Sequence, residues 1–82
     1  MAELHARLVF LGRLEDAAGA SELAVTPGPL EAVLAALAPD LAVAVLGERV
    51  RMVLNGVLIA ERGGIMLRDG DELAFLPPVS GG

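Results

Sequence analysis

The residues whose types and order could do chemistry lie at the end of the sequence, in Pro77-Pro78-Val79-Ser80-Gly81-Gly82. Two prolines fix φ and favour an extended path, so this stretch is expected to leave the body as a straight arm. Gly81 and Gly82 carry no Cβ and let the backbone enter a space too narrow for any other residue. The reactive group at the tip is the α-carboxylate of Gly82. A carboxylate is a poor electrophile until it becomes an acyl-adenylate, which an external ATP-using enzyme can make. The mixed anhydride then accepts sulfur, giving a thiocarboxylate, or an amine, giving a conjugate. Bulk at either of the last two positions would block access to such an enzyme's site.

The remaining inventory offers no catalyst. His5 is the one histidine, on an expected strand, and the chain has no cysteine. Disulfides, thiolate metal sites and a cysteine nucleophile are therefore excluded. Asp69, Asp71 and Glu72 are acidic but lack the spacing of a calcium loop, so they read as a solvated turn and no metal site is expected. Gly63-Gly64 has neither the strand-to-helix context nor the lysine of a phosphate loop. Ser21 and Ser80 have no nearby base. The chain is thus expected to be a substrate or carrier in the reaction it serves.

The charge balance narrows the partners. The formal charge is −5 and the sequence pI about 4.6. All six basic residues are arginines (Arg7, Arg13, Arg49, Arg51, Arg62, Arg68), scattered along the sequence. With two phenylalanines, Phe10 and Phe75, as the only aromatics and no basic stripe, nucleic-acid binding is not expected. An acidic surface favours a partner with a positive rim. Because lysine is absent, the chain could accept an isopeptide-linked modifier only at its N-terminal amine.

Eighty-two residues make one small domain without staples, stabilised by its core. Hydrophobic residues are 55% and the mean hydropathy is +0.66, which fits either an alanine-rich core or apolar surface covered by another protein. The most apolar window, residues 30–47, is interrupted by Pro39-Asp40, and a central Asp costs about 2.5–3.5 kcal/mol in a spanning helix. No membrane span or basic leader is expected, which predicts a cytoplasmic location.

The elements that must position the tail are legible in order. Leu4–Leu11 alternates as a strand, Arg13–Ala18 reads as a turn or helical loop, and Ser21–Val25 as a second strand antiparallel to the first. Leu30, Val33, Leu34 and Leu37 fall at i, i+3, i+4 and i+7 and predict the main helix, stopped by Pro39. Asp40 can cap a short helix over Leu41–Leu46, although Val43 and Val45 also suit a strand. Val50–Leu54 and Val57–Ala60 form a hairpin around Asn55-Gly56, a strong type I′ signal. Ile65–Leu67 is a short apolar patch, and the strand Glu72–Leu76 runs straight into the prolines. The order ββαββ with a closing strand predicts an α+β roll of the β-grasp kind, a mixed sheet of four to five strands packed on one main helix. Residues 1–76 form the domain, and residues 77–82 a flexible extended tail.

Three stretches carry a resemblance: the strand ending Leu8-Val9-Phe10, the Leu54-Asn55-Gly56 hairpin, and Asp69-Gly70-Asp71-Glu72-Leu73-Ala74-Phe75-Leu76-Pro77-Pro78-Val79-Ser80-Gly81-Gly82. In these the chain resembles the small, sulfur-carrying subunit of molybdopterin synthase (MoaD-type), of the ubiquitin-like MoaD/ThiS family, over essentially its whole length. The Pro-Pro-Val run before the diglycine is typical of this subunit and is usually lacking in the related thiamine-pathway carriers. The resemblance implies that Gly82 is adenylated by a ubiquitin-activating-like enzyme using ATP, and then converted by a sulfur donor to a thiocarboxylate. It further implies insertion of the tail into the pterin-binding large synthase subunit, in a heterotetramer. Gly82 would be the reactive residue and Gly81 the threading residue, with Phe75, Leu76, Pro77, Pro78 and Val79 a docking segment and Ser80 within the bound tail. No cofactor bound by the chain itself is implied. Other outcomes for the same tail are sulfur delivery to thiamine or tRNA, attachment to proteins as a modifier, or an inert diglycine on a plain interaction module.

Overall fold

The computed structural model describes residues 4–61 and 63–78. Its main sheet has five strands, β1 (Ala6–Phe10), β2 (Glu22–Val25), β4 (Arg51–Leu54), β5 (Val57–Leu58) and β7 (Glu72–Leu76). Their order across the sheet is β2-β1-β7-β4-β5. The last strand therefore sits in the middle, parallel to β1 and antiparallel to β4. A second, two-stranded ladder joins β3 (Gly28–Pro29) to β6 (Met66–Leu67). Three short helices, α1 (Arg13–Ala18), α2 (Leu30–Ala35) and α3 (Pro39–Val45), complete the β-grasp arrangement.

Alternation decides which face of the sheet is core. Ala6, Leu8 and Phe10 of β1, Met52 of β4, and Leu73 and Phe75 of β7 point to one side and are all buried. Leu14, Leu30, Val33, Leu34, Leu41 and Val45 from the three helices close over them. Each such side chain contributes roughly 1.5–3 kcal/mol on full burial. The rings of Phe10 and Phe75, opposite one another in the parallel register, stack at 5.6 Å between centroids with 10° between planes.

The helices differ from the sequence expectation in an instructive way. Arg13–Ala18 is a genuine helix, closed by Gly19 in the left-handed conformation at φ 75°, whose N–H reaches the Glu15 carbonyl at 2.9 Å. The main helix ends at Ala35, before Leu37, with Leu37 N–H turning back to the Leu34 carbonyl at 3.1 Å. The residue before a proline is pushed to extended backbone, and Ala38 obeys with φ −56° and ψ 141°, so α2 and α3 are separate helices. The sheet therefore packs on three short helices, the expected main one and two whose segments the sequence left open between helix and turn or strand. Residues 41–46 resolve in favour of helix: Leu41 and Val45, four apart, are buried, while Val43 faces outward. Asp40 is not the cap. Ala38 holds that place without a side-chain bond, and Pro39 takes the first position, where its missing N–H costs nothing.

The return strand of the hairpin is shorter than expected, Val57–Leu58, and Ile65–Leu67 contributes the second ladder, where the Leu30 N–H bonds the Ile65 carbonyl at 2.9 Å. Asn55 and Gly56 have φ of 50° and 84°, as a type I′ turn requires. No helix among the described residues is long and apolar enough to cross a membrane.

Candidate functional site

The site is the end of β7 and the surface around it. β7 is held at both ends. At its start Asn55 makes three bonds: its N–H donates to the Glu72 carbonyl at 2.8 Å, its Oδ1 accepts from the Glu72 N–H at 2.9 Å, and its Nδ2 donates to Asp71 Oδ1 at 3.0 Å. Asp71 Oδ2 also accepts from the Arg68 N–H at 2.8 Å. That backbone bond, followed by the Asn55 amide and the Arg68 charge, holds the Asp71 carboxyl below its ordinary value of 3.8. The same turn is fastened to β1 by His5 N–H to Asp69 Oδ1 at 3.0 Å and by Gly70 N–H to the His5 carbonyl at 2.9 Å.

At the far end of β7 the Leu11 N–H bonds the Phe75 carbonyl at 3.2 Å on the β1 side, and Leu76 pairs with Arg51 on the β4 side. Pro77 and Pro78 have no N–H and end the ladder. Both are half-buried, so the first two residues of the expected arm remain seated on the body. Gly12 is the seat. It has φ 56° and ψ −135°, and a Cβ there would stand 2.9 Å from Pro77 Cγ. Glycine is required twice over, for the backbone angle and for the close approach.

The open face of the sheet leads to the same place. Across β1, β7, β4 and β5 the register aligns Val9, Ala74, Val53 and Leu58 in one apolar row. Leu76 stands one step nearer the tail, opposite Arg51. The adjacent row is charged, with Arg7 bridging Glu72 at 2.8 Å and Glu22 at 3.5 Å. These groups are about half exposed, and such pairs add little stability.

Of the expected site residues, Leu76, Pro77 and Pro78 lie together at the strand end, each half-buried. Phe75 is a correction: it is fully buried against Phe10, so it fixes the segment from beneath and offers no surface for docking. Val79, Ser80, Gly81 and Gly82 lie outside the described residues. Asp69, Asp71 and Glu72 are engaged by backbone N–H groups, Asn55 and Arg7, and among the described residues no His, Asp and Glu group is placed to hold a metal ion. Sequence reasoning missed Gly12, which follows directly on the expected strand Leu4–Leu11. It also missed that Arg13, Arg49 and Arg51, scattered in sequence, all line hollows walled by Pro77 and Pro78. The strand end, its glycine seat and the apolar row together make one surface at the point where β7 leaves the sheet.

The ThiS family model matches residues 8–82. The chain belongs to the ThiS family. Among solved structures, this ThiS-family chain is similar to small archaeal modifier protein 1 from Methanosarcina acetivorans, with TM-score 0.80, 27% identity and both chains covered in full. It is also similar to small archaeal modifier protein 1 from Haloferax volcanii, with TM-score 0.75 and 26% identity over 95% of this chain and 99% of that one. The Haloferax volcanii HVO 2177 protein shares the fold, with TM-score 0.68 and 23% identity over 96% of this chain and 87% of that one. No curated protein matches the chain.

Proposed function

We propose that this ThiS-family chain is a sulfur carrier for molybdenum cofactor synthesis, loaded and unloaded at the carboxyl group of Gly82. The observation that carries this is a central strand, locked at both ends, running into prolines seated on Gly12. In the first step a Gly82 carboxylate oxygen attacks the α-phosphorus of ATP in a ubiquitin-activating-like adenylyltransferase, and pyrophosphate leaves. The outer sulfur of a donor persulfide then displaces AMP at the carbonyl carbon, giving an acyl disulfide; a second thiol attacks the donor's own sulfur, so the thiocarboxylate leaves and the two thiols end as a disulfide. Gly81, Ser80, Val79, Pro78, Pro77 and Leu76 guide the tail into the pterin-binding large subunit of molybdopterin synthase, where sulfur passes to the pterin precursor. This chain supplies the carrier and the partner supplies the catalysis.

Intact-mass measurement tests this directly. Incubation with ATP, the activating enzyme and a sulfur donor is expected to add about 16 Da, one oxygen replaced by sulfur. Deleting Gly82 is expected to abolish both the mass gain and pterin thiolation with the large subunit. Unchanged thiolation by the shortened chain would end the proposal.

A second reading, attachment to other proteins as a modifier, is supported by the similarity to the two small archaeal modifier proteins. In that reading a lysine amine of another protein attacks the Gly82 acyl-adenylate, AMP and a proton leave, and an isopeptide forms. Gly82 cross-linked to lysines of other proteins, without sulfur gain or pterin thiolation, would favour it.

A further inference from the structure

Three arginines converge on the end of β7 in a chain of formal charge −5. Arg13 opens α1, Arg49 lies in the loop before β4, and Arg51 is the first residue of β4, opposite Leu76. Arg13 and Arg49, with Leu14, Val50, Pro77 and Pro78, line a hollow of about 430 Å³. Arg49 and Arg51 line a second, of about 350 Å³, against the same prolines. All three arginines are exposed, and among the described residues none forms an ion pair; both ion pairs belong to Arg7. One carboxylate, Glu48, shares the wall of the first hollow, and Glu15 and Asp16 lie on α1 beyond Arg13. The immediate surround of the tail base is therefore cationic with an apolar floor, on an otherwise acidic protein.

We propose that this arginine collar receives an acidic segment of the activating enzyme as it takes up the tail, resting on the carrier function above. An apolar side chain of that segment lies against the partly exposed Ala44, Pro77 and Pro78, and its carboxylates meet Arg13, Arg49 and Arg51. Guanidinium groups pair with carboxylates through two parallel N–H bonds, which fixes direction as well as affinity. The apolar floor favours a peptide over a bare phosphate. Charge also gives the collar a task the apolar row cannot perform. On a molecule of this net charge the collar is a local cationic patch, so an acidic surface meets least repulsion when it approaches from the tail base.

Two measurements test it. The full-length ¹⁵N-labelled chain is titrated with acetyl-Asp-Glu-Leu-Glu-Asp-amide, the lysine counterpart acetyl-Lys-Lys-Leu-Lys-Lys-amide, and inorganic phosphate. The acidic peptide is expected to shift the amides of Arg13, Leu14, Arg49 and Arg51 saturably, less so as salt rises, and to leave the R49E/R51E variant unmoved. No shifts at these positions, or equal shifts from phosphate or the lysine peptide, overturn the collar. In the second measurement, adenylation by the activating enzyme is expected to show a KM raised about tenfold in R49E/R51E with kcat within about twofold, circular dichroism being unchanged. Wild-type adenylation with an unaltered KM in the variant overturns the collar and leaves the carrier function standing. Failure of the wild-type chain to be adenylated overturns the carrier function, and the peptide titration then decides the collar alone.

Discussion

Gly12 seats Pro77 at the end of β7 through a single missing carbon. Gly12→Ala places a Cβ 2.9 Å from Pro77 Cγ on a backbone at φ 56°, so either the turn or the proline must move. A side chain held in such a region costs about 1–3 kcal/mol. The variant is expected to unfold at correspondingly lower urea and to be adenylated more slowly, because Pro77 no longer lies where the strand leads. Urea midpoints and ATP–pyrophosphate exchange read the two effects separately. Asp71 makes a different claim, on pH. Its carboxyl is held below 3.8 by the Arg68 N–H, the Asn55 amide and the Arg68 charge, and it regains the ordinary value on unfolding. The unfolded chain therefore binds that proton first as pH falls. Its contribution is complete above 3.8 and drains away as pH drops through the lower folded value. The gap in urea midpoint between the wild type and Asp71→Asn is expected to be open at neutral pH and to close in acid; a constant gap would contradict the linkage.

At the level of elements, the open face of the sheet is expected to be a partner surface. Leu58, on the edge strand β5 and 62% exposed, ends the apolar row that Val9, Ala74 and Val53 begin. Leu58→Asp is expected to leave stability within about 0.5 kcal/mol and weaken partner binding about tenfold. Val43→Asp, on the helical side and 74% exposed, is the matched control and is expected to leave binding alone. Calorimetric titration against the large subunit or the activating enzyme distinguishes them. Strong local signals made most elements readable: alternation in β1 and β7, the Asn55-Gly56 turn, and the i, i+3, i+4 spacing of α2. What escaped was long-range. The two-residue ladder of β3 and β6 has no pattern of its own, because Gly28–Pro29 resembles a turn and Met66–Leu67 is too short to alternate. The split at Pro39 was read from the sequence, but the early end of α2 at Ala35 was missed for another reason. Spacing predicts a face, and Leu37 keeps to that face after the helix has ended. The arginine collar could not be read at all, since Arg13 and Arg49 are joined only by the fold.

For the molecule as a whole, the absence of lysine bears on both readings of the tail. A modifier of this sequence can be attached to other proteins but offers no side-chain amine for a second copy. The same body serves a carrier equally well, because everything that distinguishes the two lies in the partner. The central place of β7 has one further consequence, and it is mechanical. An enzyme that draws the tail into a narrow cleft tugs along the axis of that strand. Its bonds to β1 and β4 lie across that axis and share the strain together in shear, instead of giving way one by one as a peeled edge strand would. A tether built this way can be pulled taut by its user without starting to unravel the domain behind it.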